Sequence, residues 1–196
     1  FQHDDVRYPE SLVTHFLERY TRPGDTVLDP FAGYGTTLRV AERLKRSAYG
    51  LELNPAKVAY TRSKLQQPQH LLHGDARALS TFDLPPIDFS ITSPPYMHKD
   101  DYEDPFTDYQ AKSSGYPAYL RDLRSVYAQL RDLMKPGGTV VLEVSNLKQA
   151  GRVTALAWDI AAQVSQVLHF EGEVIICWDQ YGYGYDHSYC LVYTCI

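Results

Sequence analysis

The stretch TVLDPFAGYGTT, residues 26 to 37, decides the fold. Val27 and Leu28 read as a buried strand, after which the chain turns through Pro30, Phe31, Gly33 and Gly35 into Thr36 and Thr37, which open a helix. A strand, a glycine turn and a helix start together make a ligand cradle. Glycine lets a ligand press against the backbone, and the first helical turn offers N–H groups without intrahelical partners. A dinucleotide fingerprint requires a third glycine where this chain has Leu38, which disfavours a nicotinamide or flavin site.

Outward from this turn, short apolar runs alternate with amphipathic stretches. Strands are predicted at 26–30, 47–52, 70–74, 88–92, 139–144, 173–178 and 188–195, and helices over about 9–20, 36–46, 55–66, 117–134 and 153–168. Leu120, Leu123, Tyr127, Leu130 and Met134 recur at helical steps before Pro136-Gly137-Gly138 stops the pattern. The last two strands are too close for an intervening helix and are expected to pair as an antiparallel hairpin. The expected fold is α/β: a seven-stranded, mostly parallel sheet with a C-terminal antiparallel hairpin and helices on both faces. At 196 residues this is one domain, spanning 1–196.

Three successive strand ends carry acids: Asp29, Glu52 and, before Ala76, Asp75. Parallel sheets bind ligands at the carboxyl ends of their strands, so the three are expected in one crevice. Glu52 lies about 20 residues past the glycine turn, where an acid accepts ribose hydroxyls. Capping of the following helices is the alternative use of each acid.

The fourth strand ends in Ser93-Pro94-Pro95-Tyr96. An exocyclic amine on a nucleobase is a poor nucleophile because its lone pair is delocalised into the ring. Acceptors for its hydrogens favour a tetrahedral nitrogen as positive charge develops there. A serine hydroxyl and a carbonyl held by two prolines supply such acceptors, and Tyr96 offers a stacking face. Ser93, Pro94, Pro95 and Tyr96 are therefore the catalytic candidates.

Together these features resemble the class I methyltransferases that use S-adenosyl-L-methionine (AdoMet), and the SPPY segment resembles the (D/N/S)PPY signature of their amino-methyltransferases. The resemblance implies a cofactor site of Asp29, Pro30, Phe31, Gly33, Gly35, Thr36, Thr37, Glu52, Asp75, Ala76 and Ser93. In it the glycines approach the methionine moiety, Glu52 the ribose and Asp75 the adenine amino group. It also gives Ser93 and the Pro94 carbonyl the target amine. The serine form is most similar to DNA cytosine-N4 methyltransferases, whereas adenine-N6 and protein-glutamine enzymes more often carry Asp or Asn. Tyr8, Pro9 and Glu10 open a segment resembling the family's additional AdoMet-contacting helix, which Leu12, Val13, Phe16 and Leu17 equally mark as a packing helix.

The loop from Met97 to Tyr116 lacks an apolar period and reads as a substrate-side element, either a mobile flap or a solvated loop. Its Tyr102, with Trp178, Tyr181, Tyr183 and Tyr96, is a candidate for base stacking, worth roughly 1 to 3 kcal/mol per base. His187 reads as structural, and Arg39, Arg43, Lys45 and Arg46 as a solvated helix end.

With 44% hydrophobic and 22% charged residues the composition is that of a globular protein, rich in tyrosine at 16 residues. No run is apolar for long enough to span a bilayer and no signal peptide is apparent, so no membrane partner is expected and the cytoplasm is the expected compartment. Cys177, Cys190 and Cys195 form no CxxC pair and are expected as buried thiols, with no metal site. A net charge of −5 supplies no basic face for a duplex. Nor is a target-recognition region evident. That function falls to a protein partner or to a segment missing from this chain, which begins at Phe1. Three readings follow: a DNA cytosine-N4 methyltransferase, with DNA the favoured nucleic-acid partner; an amino-methyltransferase on structured RNA; and a silent nucleic-acid-binding subunit.

Overall fold

The alternating pattern resolves, in a computed structural model that describes residues 8–179 and 186–196, into five α-helices and nine strands among the described residues. The helices are α1 (Glu10–Tyr20), α2 (Thr36–Arg43), α3 (Pro55–Arg62), α4 (Tyr116–Leu133) and α5 (Leu156–Val164). The strands are β1 (Thr26–Asp29), β2 (Ser47–Glu52), β3 (Leu71–His73), β4 (Ile87–Thr92), β5 (Met134–Val144), β6 (Leu147–Gln149), β7 (Arg152–Thr154), β8 (His169–Cys177) and β9 (His187–Thr194). Seven of them form one sheet in the order β3-β2-β1-β4-β5-β9-β8, with β1 to β5 parallel and β9 antiparallel to both β5 and β8.

Side chains that alternate along each strand separate two cores. Leu28, Leu142, Leu191 and Tyr193 face α4 and α5, whereas Val27, Val141, Cys190 and Val192 face α1, α2 and α3. The helical stripe expected on α4 is present: Tyr119, Leu123, Val126, Tyr127 and Leu130 are buried. Each such side chain contributes about 1.5–3 kcal/mol relative to exposure. On α1, Leu12, Val13, Phe16 and Leu17 are buried, so the segment does pack as an ordinary helix.

Two features depart from the sequence expectation. After β5 the chain forms a second hairpin, β6–β7, whose turn residues Ala150 and Gly151 both have positive φ, 48° and 77°. That is the conformation of a two-residue type I′ turn. The 97–116 loop is pinned rather than free: Met97 and Phe106 are buried, Glu103 bridges to Lys112, and the Asp104 carbonyl accepts from Thr107 Oγ1, 2.8 Å, and the Tyr109 N–H, 3.1 Å.

Candidate functional site

The glycine turn is built by conformations that a side chain would disturb. Gly33 and Gly35 have φ of 51° and 74°, and a Cβ on Gly35 would stand 2.3 Å from Thr61 Cγ2. The turn is tied to the second strand: the Gly33 N–H donates to Glu52 Oε2, 2.8 Å, and the Asn54 N–H to Glu52 Oε1, 2.7 Å. Thr61 Oγ1 in turn donates to the Gly33 carbonyl, 3.0 Å. Each Glu52 oxygen keeps a further lone pair for a ligand hydroxyl.

Asp29 is 2% exposed and held by its neighbours. Its Oδ1 accepts from the Phe31 N–H, 3.0 Å, and from Thr92 Oγ1, 2.6 Å, while its Oδ2 accepts from the Tyr8 hydroxyl, 3.2 Å. Tyr8 also hydrogen-bonds Thr37. Burial pushes the Asp29 carboxyl above its ordinary range, against the opposing pull of these hydrogen bonds. Thr36, Thr37, Pro30 and Ala76 are buried as well and form the frame of the turn and core. The Asp29–Thr92 bond joins the glycine turn to the residue preceding Ser93.

Beside Glu52 lies a cleft of about 290 Å³, lined by Leu53, Asn54, Pro55, Asp75, Arg77, Phe106, Thr107, Asp108 and Gln110. Its walls combine apolar surface with fixed charge. Asp75 caps the turn that follows it by accepting from the Arg77 N–H, 2.8 Å, and pairs with the Arg77 guanidinium at 2.7 Å. That pairing, more than the further charges of Asp104 and Asp122, holds Arg77 protonated above its usual value. The guanidinium lies over Phe106 at 5.3 Å, and Phe106 packs against Phe31 with ring centroids 5.9 Å apart. Asp108 closes the cleft's far side, accepting from Asn54 Nδ2, 2.6 Å, and pairing with Lys57 Nζ, 3.1 Å. Although burial lowers the Lys57 pKa, Asp108 outweighs it and the amine stays charged. The loop acids Asp104 and Asp108 are thus spent on caps and ion pairs.

The SPPY segment leaves β4 next to these groups. Pro94 is buried, and Ser93, Pro95 and Tyr96 are half-buried. The Pro95 carbonyl accepts from Tyr119, 2.8 Å, whose burial keeps the phenol protonated. No hydrogen bond to the Pro94 carbonyl occurs among the described residues. Tyr96 is anchored through its hydroxyl, which accepts from the Ser145 N–H, 3.1 Å, and from Ser93 Oγ, 3.4 Å, and donates to Glu143 Oε2, 3.2 Å.

The other candidates scatter. Tyr102 is 80% exposed and projects from the loop. Trp178 is half-buried, its indole N–H donating to Ser188 Oγ, 3.0 Å. Tyr181 and Tyr183 lie outside the described residues. His187 bonds the Tyr189 hydroxyl, 2.9 Å. The basic helix end is less solvated than expected: Arg46, 9% exposed, donates to the carbonyls of Thr21, 2.9 Å, and Leu44, 2.6 Å, and Glu10 binds Arg39 and Arg43. Cys190 and Cys195 are buried free thiols, but Cys177 is exposed because β8 is an edge strand. Among the described residues no group of His, Cys, Asp or Glu could hold a metal, and no helix is long and apolar enough to cross a membrane.

Site residues missed at the sequence level are Thr92, Tyr119, Ser145, Arg77, Asn54, Lys57, Asp108 and Glu143. Only Glu143 left a signal, as a charge inside the apolar run TVVLEV.

Solved structures share this arrangement over nearly the whole chain. TrmN from Thermus thermophilus superposes with a TM-score of 0.70 at 19% identity, covering 97% of this chain and 50% of its own. A methyltransferase from Pyrococcus furiosus gives 0.66 at 13% identity, covering 100% and 87%. The fold is that of the class I methyltransferases. Sequence likeness within that fold is concentrated at the N-terminal side, where a family model described as DNA methylase matches residues 2–63, spanning α1, the glycine turn and Glu52. Type II methyltransferase M.BglII from Bacillus subtilis is 47% identical over 48 residues, 24% of this chain and 13% of its own length. Type II methyltransferase M.XycI from Xanthomonas campestris pv. cyanopsidis is 41% identical over 59 residues, 30% and 20% respectively. The chain thus resembles AdoMet-dependent DNA amino-methyltransferases over this N-terminal part, and these matches span a fifth or less of those relatives' lengths.

Proposed function

We propose that the chain transfers a methyl group from AdoMet to an exocyclic amino nitrogen of a nucleobase, with N4 of cytosine in DNA the first candidate. The observation that supports this reading is the Thr92–Asp29 hydrogen bond of 2.6 Å, which ties the residue before Ser93 to the residue from which the glycine turn leaves β1.

The residues present suit AdoMet. Glu52, held by two backbone N–H groups, retains acceptor capacity for the ribose hydroxyls. The neighbouring cleft combines Leu53 and Phe106, apolar surfaces for a purine, with the Asp75 carboxylate for an amino group. Its volume of about 290 Å³ is at the lower end for small-molecule sites. A Cβ on Gly33 would meet only the Phe31 carbonyl, at 4.0 Å, so the backbone there is open to a ligand's approach. When bound, AdoMet supplies an electrophilic methyl group on a sulfonium.

The protein's own part is placement and acceptance of hydrogen bonds. Ser93 Oγ and the Pro94 carbonyl receive the two amine hydrogens and draw the nitrogen toward tetrahedral geometry. Pro94 and Pro95 restrict the loop, and the Tyr119 hydroxyl occupies the Pro95 carbonyl as a hydrogen-bond donor. A DNA target must be flipped out of its stack, at a few kcal/mol.

Structured RNA is a second substrate class, favoured by the short substrate-side elements, the 97–116 loop and the β6–β7 hairpin, since RNA presents bases already unstacked. The test is transfer of labelled methyl from AdoMet to DNA, RNA and protein in parallel, followed by nucleoside analysis. Label in N4-methylcytosine from DNA is expected. Label confined to RNA shifts the substrate to the second class, and label confined to protein overturns the nucleobase reading.

A further inference from the structure

Serine is the least obvious residue at the first position of this motif, because a hydroxyl both donates and accepts, whereas a carboxylate or the oxygen of a carboxamide only accepts. An acceptor for amine hydrogens requires Ser93 to send its own hydrogen elsewhere. The structure provides a destination. Ser93 Oγ donates to the Tyr96 hydroxyl, 3.4 Å, and the Tyr96 hydroxyl donates to Glu143 Oε2, 3.2 Å. The Ser145 N–H also donates to the Tyr96 oxygen, 3.1 Å, and the Glu143 carbonyl, 3.5 Å, is a second acceptor for the phenol hydrogen. Glu143 is 4% exposed and stands among the buried apolar residues Val140, Val141, Leu142 and Val144 at the end of β5. A buried carboxylate is retained where hydrogen bonds or charges compensate its desolvation, and the Tyr96 hydroxyl is one such partner.

We propose that Glu143 sets the direction of the chain Ser93–Tyr96–Glu143 and thereby makes Ser93 an acceptor for the amino group of the target base. Glu143 and Tyr96 are then positioning residues, and their effect is on specificity: the site selects an amino base over the same base bearing a carbonyl oxygen. The inference rests on the amino-methyltransferase reading above.

The test compares binding of oligo-dC with oligo-dU, and of oligo-dA with oligo-dI, by fluorescence anisotropy. Within each pair the exocyclic amine is exchanged for a carbonyl. Wild type is expected to favour the amino member of its substrate pair by about tenfold, the equivalent of one hydrogen bond. Glu143→Gln, whose amide can donate to Tyr96 and reverse the chain, should reduce that ratio to about threefold or less. Tyr96→Phe should do the same and serves if Glu143→Gln does not fold. A purely structural role would weaken both members equally and leave the ratio unchanged. In a Ser93→Ala background neither change should alter the ratio further. The inference is overturned if both variants keep the wild-type ratio, or if they shift it equally without the serine hydroxyl. Wild type that neither discriminates within a pair nor methylates nucleic acid overturns the parent reading as well.

Discussion

At the scale of single residues, the site depends on groups whose hydrogens have fixed destinations. Ser93→Ala removes one acceptor for the amine while leaving Glu52, Gly33 and the cleft intact. Turnover is expected to fall about ten- to a hundredfold, as for loss of a hydrogen bond to a charged centre, with AdoMet affinity by calorimetry unchanged. Unaltered turnover would mean that Ser93 does not hold the amine. Asp29 gives a second prediction. Its folded-state pKa is raised, mainly by burial, so the native protein binds this proton more tightly than the unfolded chain does. Stability from this group is full below the unfolded value, about 3.9, and declines as pH rises toward the folded value. Asp29→Asn removes that slope. The Tm of the variant minus that of wild type should therefore increase from pH 4 to pH 7, and a flat difference would show that Asp29 ionises freely in the native state.

At the scale of elements, the strand–turn–helix around Gly35 is both the most legible part of the chain and the least tolerant. Gly35→Ala places a Cβ 2.3 Å from Thr61 Cγ2 at a φ of 74°, and should cost on the order of 1–3 kcal/mol in urea unfolding. Adding Thr61→Ser deletes the clashing methyl while keeping the hydroxyl that binds the Gly33 carbonyl. It should recover part of the loss, the remainder being backbone strain; no recovery would locate the cost elsewhere. That turn could be read from sequence because its determinants are adjacent residues. The main strands were legible for the same reason, as apolar runs ended by Gly, Pro or Asp. The β6–β7 hairpin was not, since LKQAGRVT has little apolar alternation and its turn relies on Ala150 adopting positive φ. The networks around the site were hidden because their partners are distant in sequence: Tyr8 and Asp29 are 21 residues apart, Tyr96 and Glu143 47, and Thr92 and Asp29 63. The roles of Asp104 and Asp108 in the 97–116 loop were hidden in the same way, because they depend on Asn54, Lys57 and Arg77, which only folding brings near.

At the scale of the whole molecule, a net charge of −5 limits how much affinity phosphate contacts can supply. Binding of this chain to DNA should have a shallow salt dependence, with log K against log salt shallower than about −3, corresponding to roughly three neutralised phosphates or fewer. Anisotropy titrations across a salt series would measure it, and a steep slope would reveal a basic surface that the composition conceals. The sheet order has a further consequence, for the order of assembly. β9 (187–194) lies between β5 and β8, so β8, which precedes it in the chain, has no neighbour in the sheet until the later segment arrives. Until β9 is in place β8 has no sheet partner, and its Val174 and Ile175, exposed even in the folded chain, form an unpaired apolar edge that pairing with β9 closes on one side.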